Sequence, residues 1–361
     1  MEIDLAEIVP ATTSIGRGIA LLIDSKDVIA FTPRSEKWGG GKESKRIVLN
    51  RFVLLDDLLF VGLGLWVGEG GKSKGLYFGN TSDEILLRFL NFVEEKLGFN
   101  RSNFRITLNV PSANDSAIRK WSNTLQIPAE NFTAICVDPR INRDYAQLYR
   151  NSVVLIEVIK GLFTTLRSTI LADEKFASAF LRGLFAAEGQ VELKKSGVLF
   201  YVSFSSIDED LIAFMKKCLE LRGVRSGKYM LQARKFPIYG YRNFERFKEL
   251  NIHTLHPDKR EKFERGFANY KRTNVLDGDE ARGLILKRLA SGPKTYDDLA
   301  AALGKARTTI QAHHIPILER AGQVRRAGKR GRAWLWALAG PEAAPSQLAP
   351  EAEPAALGSP S

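Results

Sequence analysis

An internal repeat constrains this chain more than any other feature of its sequence. One copy begins DDLLFVGLGLWVGEGG at Asp56 and the other begins EKFASAFLRGLFAAEGQ at Glu174. In each, an apolar helical run ends in a small residue, Glu and Gly. Strand-like alternation comes next, then a polar turn carrying helix-starting residues, Ser82 with Asp83 and Ser206 through Asp208. An amphipathic helix completes the pattern. Such a repeat predicts two similar α+β subdomains related by a pseudo-two-fold axis, over residues 51–170 and 171–275.

The two apolar runs, read as helices over Phe60–Gly70 and Phe180–Gly189, carry small residues at matching places. Gly64 and Gly68 are four apart, as are Gly183 and Ala187. Residues at i and i+4 share a helix face, so each helix presents a stripe along which another backbone can approach closely. Packing the stripes together sets Glu69 beside Glu188. Two carboxylates so placed need a cation, and an all-oxygen set suits Mg²⁺, which at a phosphodiester assists hydrolysis. The alternative is that each Glu merely ends its helix in solvent.

Charge points the same way. With 53 Lys+Arg against 41 Asp+Glu the chain carries +12, and its pI is about 9.6. A basic surface favours a polyanion, although a basic protein with no such partner has the same balance. The two cysteines, Cys136 and Cys218, lie in apolar settings and form no CxxC pair, which excludes zinc-finger and disulfide frameworks. The first residues lack the apolar core of a secretory signal, and apolar stretches are broken by charges before a membrane span is reached. An intracellular, cytoplasmic and nucleoid-associated protein is expected, with no membrane partner.

VGLGLWVGEGG (61–71) and FLRGLFAAEGQ (180–190) resemble the paired motifs of LAGLIDADG homing endonucleases. The resemblance runs over roughly residues 50 to 270. It implies a monomer whose two αββαββα subdomains form a DNA-binding saddle, and Mg²⁺-dependent hydrolysis of both strands across the minor groove. The implied metal ligands are the carboxylates of Glu69 and Glu188 with the carbonyls of Gly68 and Ala187. The eighth motif position is Glu in both copies where Asp is commoner, and Gly62 stands where Leu is usual. A basic residue near the start of each closing helix is also implied, Lys259 in the second copy as a third catalytic candidate and Arg150 in the first.

The saddle's contact residues are sought in period-two alternation after each motif. In the second copy Gln190, Glu192 and Lys194 alternate with apolar residues, as do Tyr201, Ser203 and Ser205. Lys72, Lys74, Tyr77 and Asn80 hold comparable places in the first, and Arg105, Thr107 and Asn109, then Lys228, Gln232 and Arg234, extend the set. These side chains suit phosphates and base edges, and equally the solvated face of an ordinary sheet.

Residues 278–339 read as a winged helix-turn-helix. Leu284, Ile285 and Leu289 face inward on a first helix, and Thr295 caps a second that Gly304 ends. Arg307, Thr308, Gln311 and His313 face outward on a recognition helix that Pro316 kinks or divides. Arg325, Arg326, Lys329, Arg330 and Arg332 form a basic wing. His313 and His314 are expected to face DNA or solvent. The Ala/Pro-rich tail 340–361 is expected to be disordered, and residues 1–50 are an extension of unassigned role. The leading reading is a site-specific double-strand endonuclease. Its rivals are a DNA-binding transcription regulator on the same scaffold, which does not cut, and an RNA maturase.

Overall fold

The computed structural model describes residues 1–33, 43–71, 75–112, 116–270 and 278–340. Lys72, Lys74 and the tail from residue 341 lie outside the described residues. The chain divides into two compact units, Met1–Tyr270 and Lys271–Ser361.

The N-terminal extension belongs to the first unit. Its first strand, β1 (Glu2–Asp4), is antiparallel to a later one over Phe52–Leu54, here β5. Between them β2 (Ala20–Ile23), β3 (Asp27–Phe31) and β4 (Ile47–Asn50) form an antiparallel meander. Leu5, Ala30, Ile47 and Leu49 are buried and join the main core of the unit. Asp56 then starts α1 (Asp57–Glu69), its carboxylate accepting from the Leu59 N–H at 3.1 Å.

After α1 come β6 (Leu76–Asn80), α2 (Asp83–Asn91, prolonged by a π turn to Lys96), β7 (Arg105–Val110), α3 (Ser116–Leu125), β8 (Phe132–Val137) and β9 (Tyr145–Arg150). The sheet order is β6-β9-β7-β8, with β7 and β8 parallel. A parallel pair needs a crossover, which α3 provides, burying Ala117, Trp121 and Leu125 on one face. The long α4 (Val153–Ala172) leads to α5 (Glu174–Glu188), which Asp173 caps through the Phe176 N–H at 3.0 Å.

The second half is simpler. β10 (Gly189–Leu193) and β11 (Leu199–Ser205) form a hairpin, succeeded by α6 (Glu209–Leu221), β12 (Lys235–Ile238), α7 (Tyr241–Glu249) and α8 (Pro257–Ala268). β12 completes a three-stranded antiparallel sheet against β11. The expected αββαββα order is therefore not kept strictly. The first copy inserts α3 between strands, and the second has one strand after α6 and two closing helices. Residues 225–234, expected to supply a strand, run irregularly to a turn with Arg234 at φ 50°, joined to β12 by a Met230–Lys235 bridge.

The second unit packs α9 (Gly278–Leu289), α10 (Tyr296–Leu303), a helix running from α11 (Arg307–Thr309) through a π turn at Ile310–His314 into α12 (Ile315–Arg320), and a hairpin of β13 (Val324–Arg330) and β14 (Ala333–Leu338). Ala281, Ile285, Leu289, Leu299, Ile310, Ile315, Leu318 and Trp336 form its core. Leu284, expected inside, is 37% exposed, because the inward face of α9 runs through Ala281, Ile285 and Leu289 at four-residue spacing. Thr295 and Asp298 form a reciprocal capping box and Gly304 ends α10 in the left-handed region. The π turn directly precedes Pro316, which has no N–H to continue an α-helical ladder. His314, expected outside, is buried, while His313 is exposed.

Candidate functional site

The small-residue stripes of α1 and α5 meet at backbone distance. A Cβ on Gly64 would lie 2.1 Å from the Phe180 carbonyl oxygen, and one on Gly183 would lie 2.1 Å from that of Val61. Farther along, a Cβ on Gly68 would stand 2.5 Å from the Ala187 Cβ. These neighbours advance together along both helices, so α1 and α5 run side by side in the same direction and end together. Gly62 faces elsewhere: a Cβ there would lie 2.0 Å from the Phe92 ring, which fills the space a leucine would take. Asp57 ties the pair laterally, pairing with Arg88 of α2 at 2.9 Å and with Arg182 of α5.

Glu69 and Glu188 thus close the two helices beside each other. A Cβ on Gly68 would be 3.2 Å from the Glu188 Cγ. Burial of its carboxyl against the helix ends, reinforced by the Glu188 charge, raises Glu69 to about 7, with Lys259 opposing the shift. Its residue surface is nonetheless open on the solvent side, so an ion or substrate can reach it. A cavity of about 310 Å³ lined by Gly68, Glu188, Ser205, Ser206, Asp208 and Arg234 opens next to the pair.

Lys259, near the start of α8, acts electrostatically on Glu69. Its Nζ donates to the carbonyls of Phe185 at 3.1 Å, Ala186 at 2.6 Å and Ala187 at 3.0 Å. All three are last-turn acceptors of α5; the Phe185 carbonyl also accepts the Gly189 N–H, while helix ends leave their last carbonyls without intrahelical partners. An ammonium has three donors, so in this arrangement none remains for a scissile phosphate. Lys259 therefore caps α5 and sets a positive charge beside the carboxylates. Burial lowers its pKa to about 8, against the opposing pull of Glu69 and Glu188.

Two carboxylates against one ammonium leave a net negative charge, and two helix C-termini add to it. Carboxylates and helix-end carbonyls make an all-oxygen set that fits Mg²⁺. Among the described residues no cluster of three or more His, Cys, Asp or Glu is suited to a metal; on the ligand set that the resemblance implies, an ion would rest on this pair with the Gly68 and Ala187 carbonyls. The Ala187 oxygen would then be shared with Lys259.

The expected contact residues divide. Tyr77 of β6 stacks on Tyr149 of β9 with ring centroids 4.5 Å apart, beside exposed Arg105. Gln190, Lys194, Lys228, Gln232 and Arg234 are exposed or partly so, and Glu192 and Tyr201 are half-buried. Thr107 and Asn109 of β7 are half-buried, as is Ser205. Asn80 does not face outward: it is buried, and its Oδ1 accepts from the Ser82 N–H at 2.9 Å, holding the turn into α2. Ser203 is wholly buried at the centre of its sheet, its hydroxyl without a hydrogen-bond partner among the described residues. Lys228, Gln232 and Arg234 sit on the irregular segment rather than on a strand. Arg150 lies half-buried at the end of β9, two residues before Ser152, which caps the start of α4.

Three residues join the region that sequence alone does not single out. Tyr145 of β9 packs its hydroxyl over Gly79, where a Cβ would lie 2.0 Å away, and burial together with the Glu69 charge raises its pKa. Tyr149 is the second. Both belong to YAQLYR, whose Ala146 and Leu148 are buried in strict alternation, so a period of two is the signal that could have found them. The third, Lys235, donates to Gln190 Oε1 at 3.2 Å and Tyr201 Oη at 3.1 Å. No periodic signal marks it.

In the second unit Arg307, Thr308, Gln311, Arg325, Arg326, Lys329, Arg330 and Arg332 are all exposed. Arg326 and Lys329 flank the Trp334 ring, at 4.9 and 4.5 Å from its centroid, and Arg330 pairs with Asp298 at 2.7 Å.

No curated protein matches the chain. Among solved structures, the N-terminal LAGLIDADG domain of DUF199/WhiA is 15% identical, over 56% of this chain and 84% of that one, at a TM-score of 0.34. Full-length DUF199/WhiA from Thermatoga maritima is 13% identical, over 74% and 93%, at 0.34. I-DmoI in complex with DNA and Mn is 16% identical, over 55% and 96%, at 0.33. No helix among the described residues is long and apolar enough to cross a membrane. A family model does match: residues 175–250, the span from α5 to α7 that carries Glu188, match that of the LAGLIDADG-like domain.

Proposed function

We propose that this protein binds duplex DNA and hydrolyses it at a defined site, with Glu69 and Glu188 as the paired carboxylates. The observation that carries this reading is their placement at the ends of two helices packed at backbone distance. Burial there, reinforced by the Glu188 charge, raises Glu69 to about 7, a cost that a purely structural helix end has no reason to bear. The two repeats are read as pseudo-symmetric halves of one saddle in a monomeric chain. The second unit is read as a winged helix presenting Arg307, Gln311 and the basic hairpin to DNA.

Glu69 and Glu188, with the Gly68 and Ala187 carbonyls, would hold Mg²⁺. When bound, that ion would supply Lewis-acid polarisation of the phosphoryl group and activation of water. Lys259 acts as a positioning residue, since its donors fix the last carbonyls of α5 and with them the backbone that carries Glu188. Tyr77, Tyr149 and Arg105 offer the strand backbone a stacked aromatic wall and a cation, and Gln190, Lys194 and Tyr201 offer polar contacts on the second sheet.

The test is incubation of wild-type protein and of Glu69→Gln and Glu188→Gln variants with randomised duplex DNA and Mg²⁺, with the ends then sequenced. Cuts made by the wild type and lost in each variant are expected. A second reading, a DNA-binding regulator that does not cut, is favoured by one observation: Lys259 already occupies the Ala187 carbonyl. Equal binding by all three proteins with no cut ends would establish that reading instead.

A further inference from the structure

The N-terminal extension, for which the sequence suggests no role, forms one wall of a cavity beside the first sheet. Its volume is about 480 Å³, and its lining comes from the β2–β4 region, from β7 and β9, and from the start of α4. Among the described residues four cations line it: Arg17 and Lys45 from the extension, Arg105 from β7 and Arg150 from β9. Among the described residues the lining contains no acidic residue and none of the four makes an ion pair. Elsewhere in this unit arginines do pair with carboxylates, as Arg51, Arg88, Arg101 and Arg182 show. Four cations bordering one hollow give it a positive potential that favours an anion.

Two further features point to the same ligand. α4 begins in the cavity wall with Val153 and Val154. Ser152 caps the Leu155 N–H at 3.1 Å, which leaves the earlier N–H groups and the positive end of a 20-residue helix facing the hollow. Arg150 is half-buried at the cavity wall, held by one hydrogen bond to the Asn103 carbonyl at 3.3 Å and by the Phe99 ring at 5.6 Å. A guanidinium held in place beside a hollow has its remaining N–H donors preorganised for an oxyanion.

We infer that this cavity is a phosphate-binding site, and that the phosphate it takes is a backbone phosphate of DNA lying along the first sheet. The second half of that inference rests on the proposed DNA binding. Continuity supports it: Arg105 and Tyr149 line the cavity and also stand with Tyr77 on the outward face of that sheet. The extension would thus lengthen the bound footprint beyond the two repeats, through sequence-independent contact.

The experiment uses the full chain with Arg17→Ala/Lys45→Ala, two exposed positions outside the carboxylate site. Duplex affinity is measured by fluorescence anisotropy against salt. One lost phosphate contact makes the slope of log K against log salt shallower by about 0.9, so the wild-type advantage shrinks about 3.5-fold between about 50 and about 200 mM salt. That result, together with loss of the difference on duplexes shortened at one end, supports the inference. An unchanged slope and affinity overturns it while leaving the DNA reading intact. In parallel, inorganic pyrophosphate is titrated calorimetrically without DNA. If the wild type binds no duplex but binds pyrophosphate, and the variant binds neither, the DNA reading fails and the cavity stands as a site for a free phosphate compound. If the wild type binds neither, both fall.

Discussion

Substituting Gly64 by alanine tests the step on which the candidate site depends. The added Cβ would lie 2.1 Å from the Phe180 carbonyl oxygen and 2.7 Å from the Leu184 nitrogen. Ordinary contact begins near 3.4 Å, so α1 and α5 must separate by about 1 Å, which forfeits about a quarter to a half of the dispersion well at each facing atom pair. The obstacle is helix backbone, so no side chain can rotate away. Overpacking of this kind costs about 1–3 kcal/mol, and here falls at the upper end. Replacing glycine in a helix returns up to about 1 kcal/mol, leaving a net loss of roughly 2 kcal/mol. Gly283, within α9, is the matched control: a Cβ there meets nothing within 4 Å, so Gly283→Ala should stabilise its unit by about 0.5–1 kcal/mol. Urea unfolding read by hydrogen-exchange mass spectrometry separates α1 and α5 peptides from α9 peptides. A Gly64→Ala protein whose α1 and α5 peptides unfold at the wild-type urea concentration would refute the close approach, and with it the basis for pairing Glu69 with Glu188.

The same geometry makes further outcomes testable. Folded Glu69 holds its proton up to about 7, against an ordinary value of 4.5. Between those values the folded chain binds more protons than the unfolded one, so this group's contribution to metal-free stability falls as pH rises through that window. Thermal melts from pH 4 to 8 should show that fall in the wild type and a flatter profile in Glu69→Gln; parallel profiles would exclude the shift. Lys259 acts oppositely, held down to about 8 from 10.5, so its contribution rises with pH between those values, and Lys259→Met should remove the rise. In the second unit, Thr295→Ala breaks the capping box of α10 and should cost about 1 kcal/mol. Hydrogen exchange should register this in residues 278–338 and leave peptides of the first unit unchanged.

Local chemistry alone settles a good deal about this protein. Gly64, Gly68, Gly183 and Ala187 fall on single helix faces because the α-helix repeats every 3.6 residues, so the two stripes and the glutamates that end them are legible from spacing. Thr295 and Gly304 mark helix ends for equally local reasons, since a side chain or a left-handed residue satisfies neighbouring backbone groups. Lys259 is identifiable as a residue near the site, but its hydrogen-bonding role is not. Its three acceptors lie more than seventy residues earlier in the chain, and no pattern in sequence announces such a contact. Asn80 and Ser203 carry polar side chains at positions that alternation assigns to an outer face. Whether such a face meets water depends on what packs over it, which only strand order and loop paths decide. Lys228, Gln232 and Arg234 are sought on the saddle's strands, but among the described residues their segment pairs with β12 only through the Gly227 N–H to Pro237 carbonyl bond and the Met230–Lys235 bridge, and it turns before β12. The extension's cationic cavity is invisible in sequence for the same reason: Arg17, Lys45, Arg105 and Arg150 come from four separate segments and share a site only once the chain has folded.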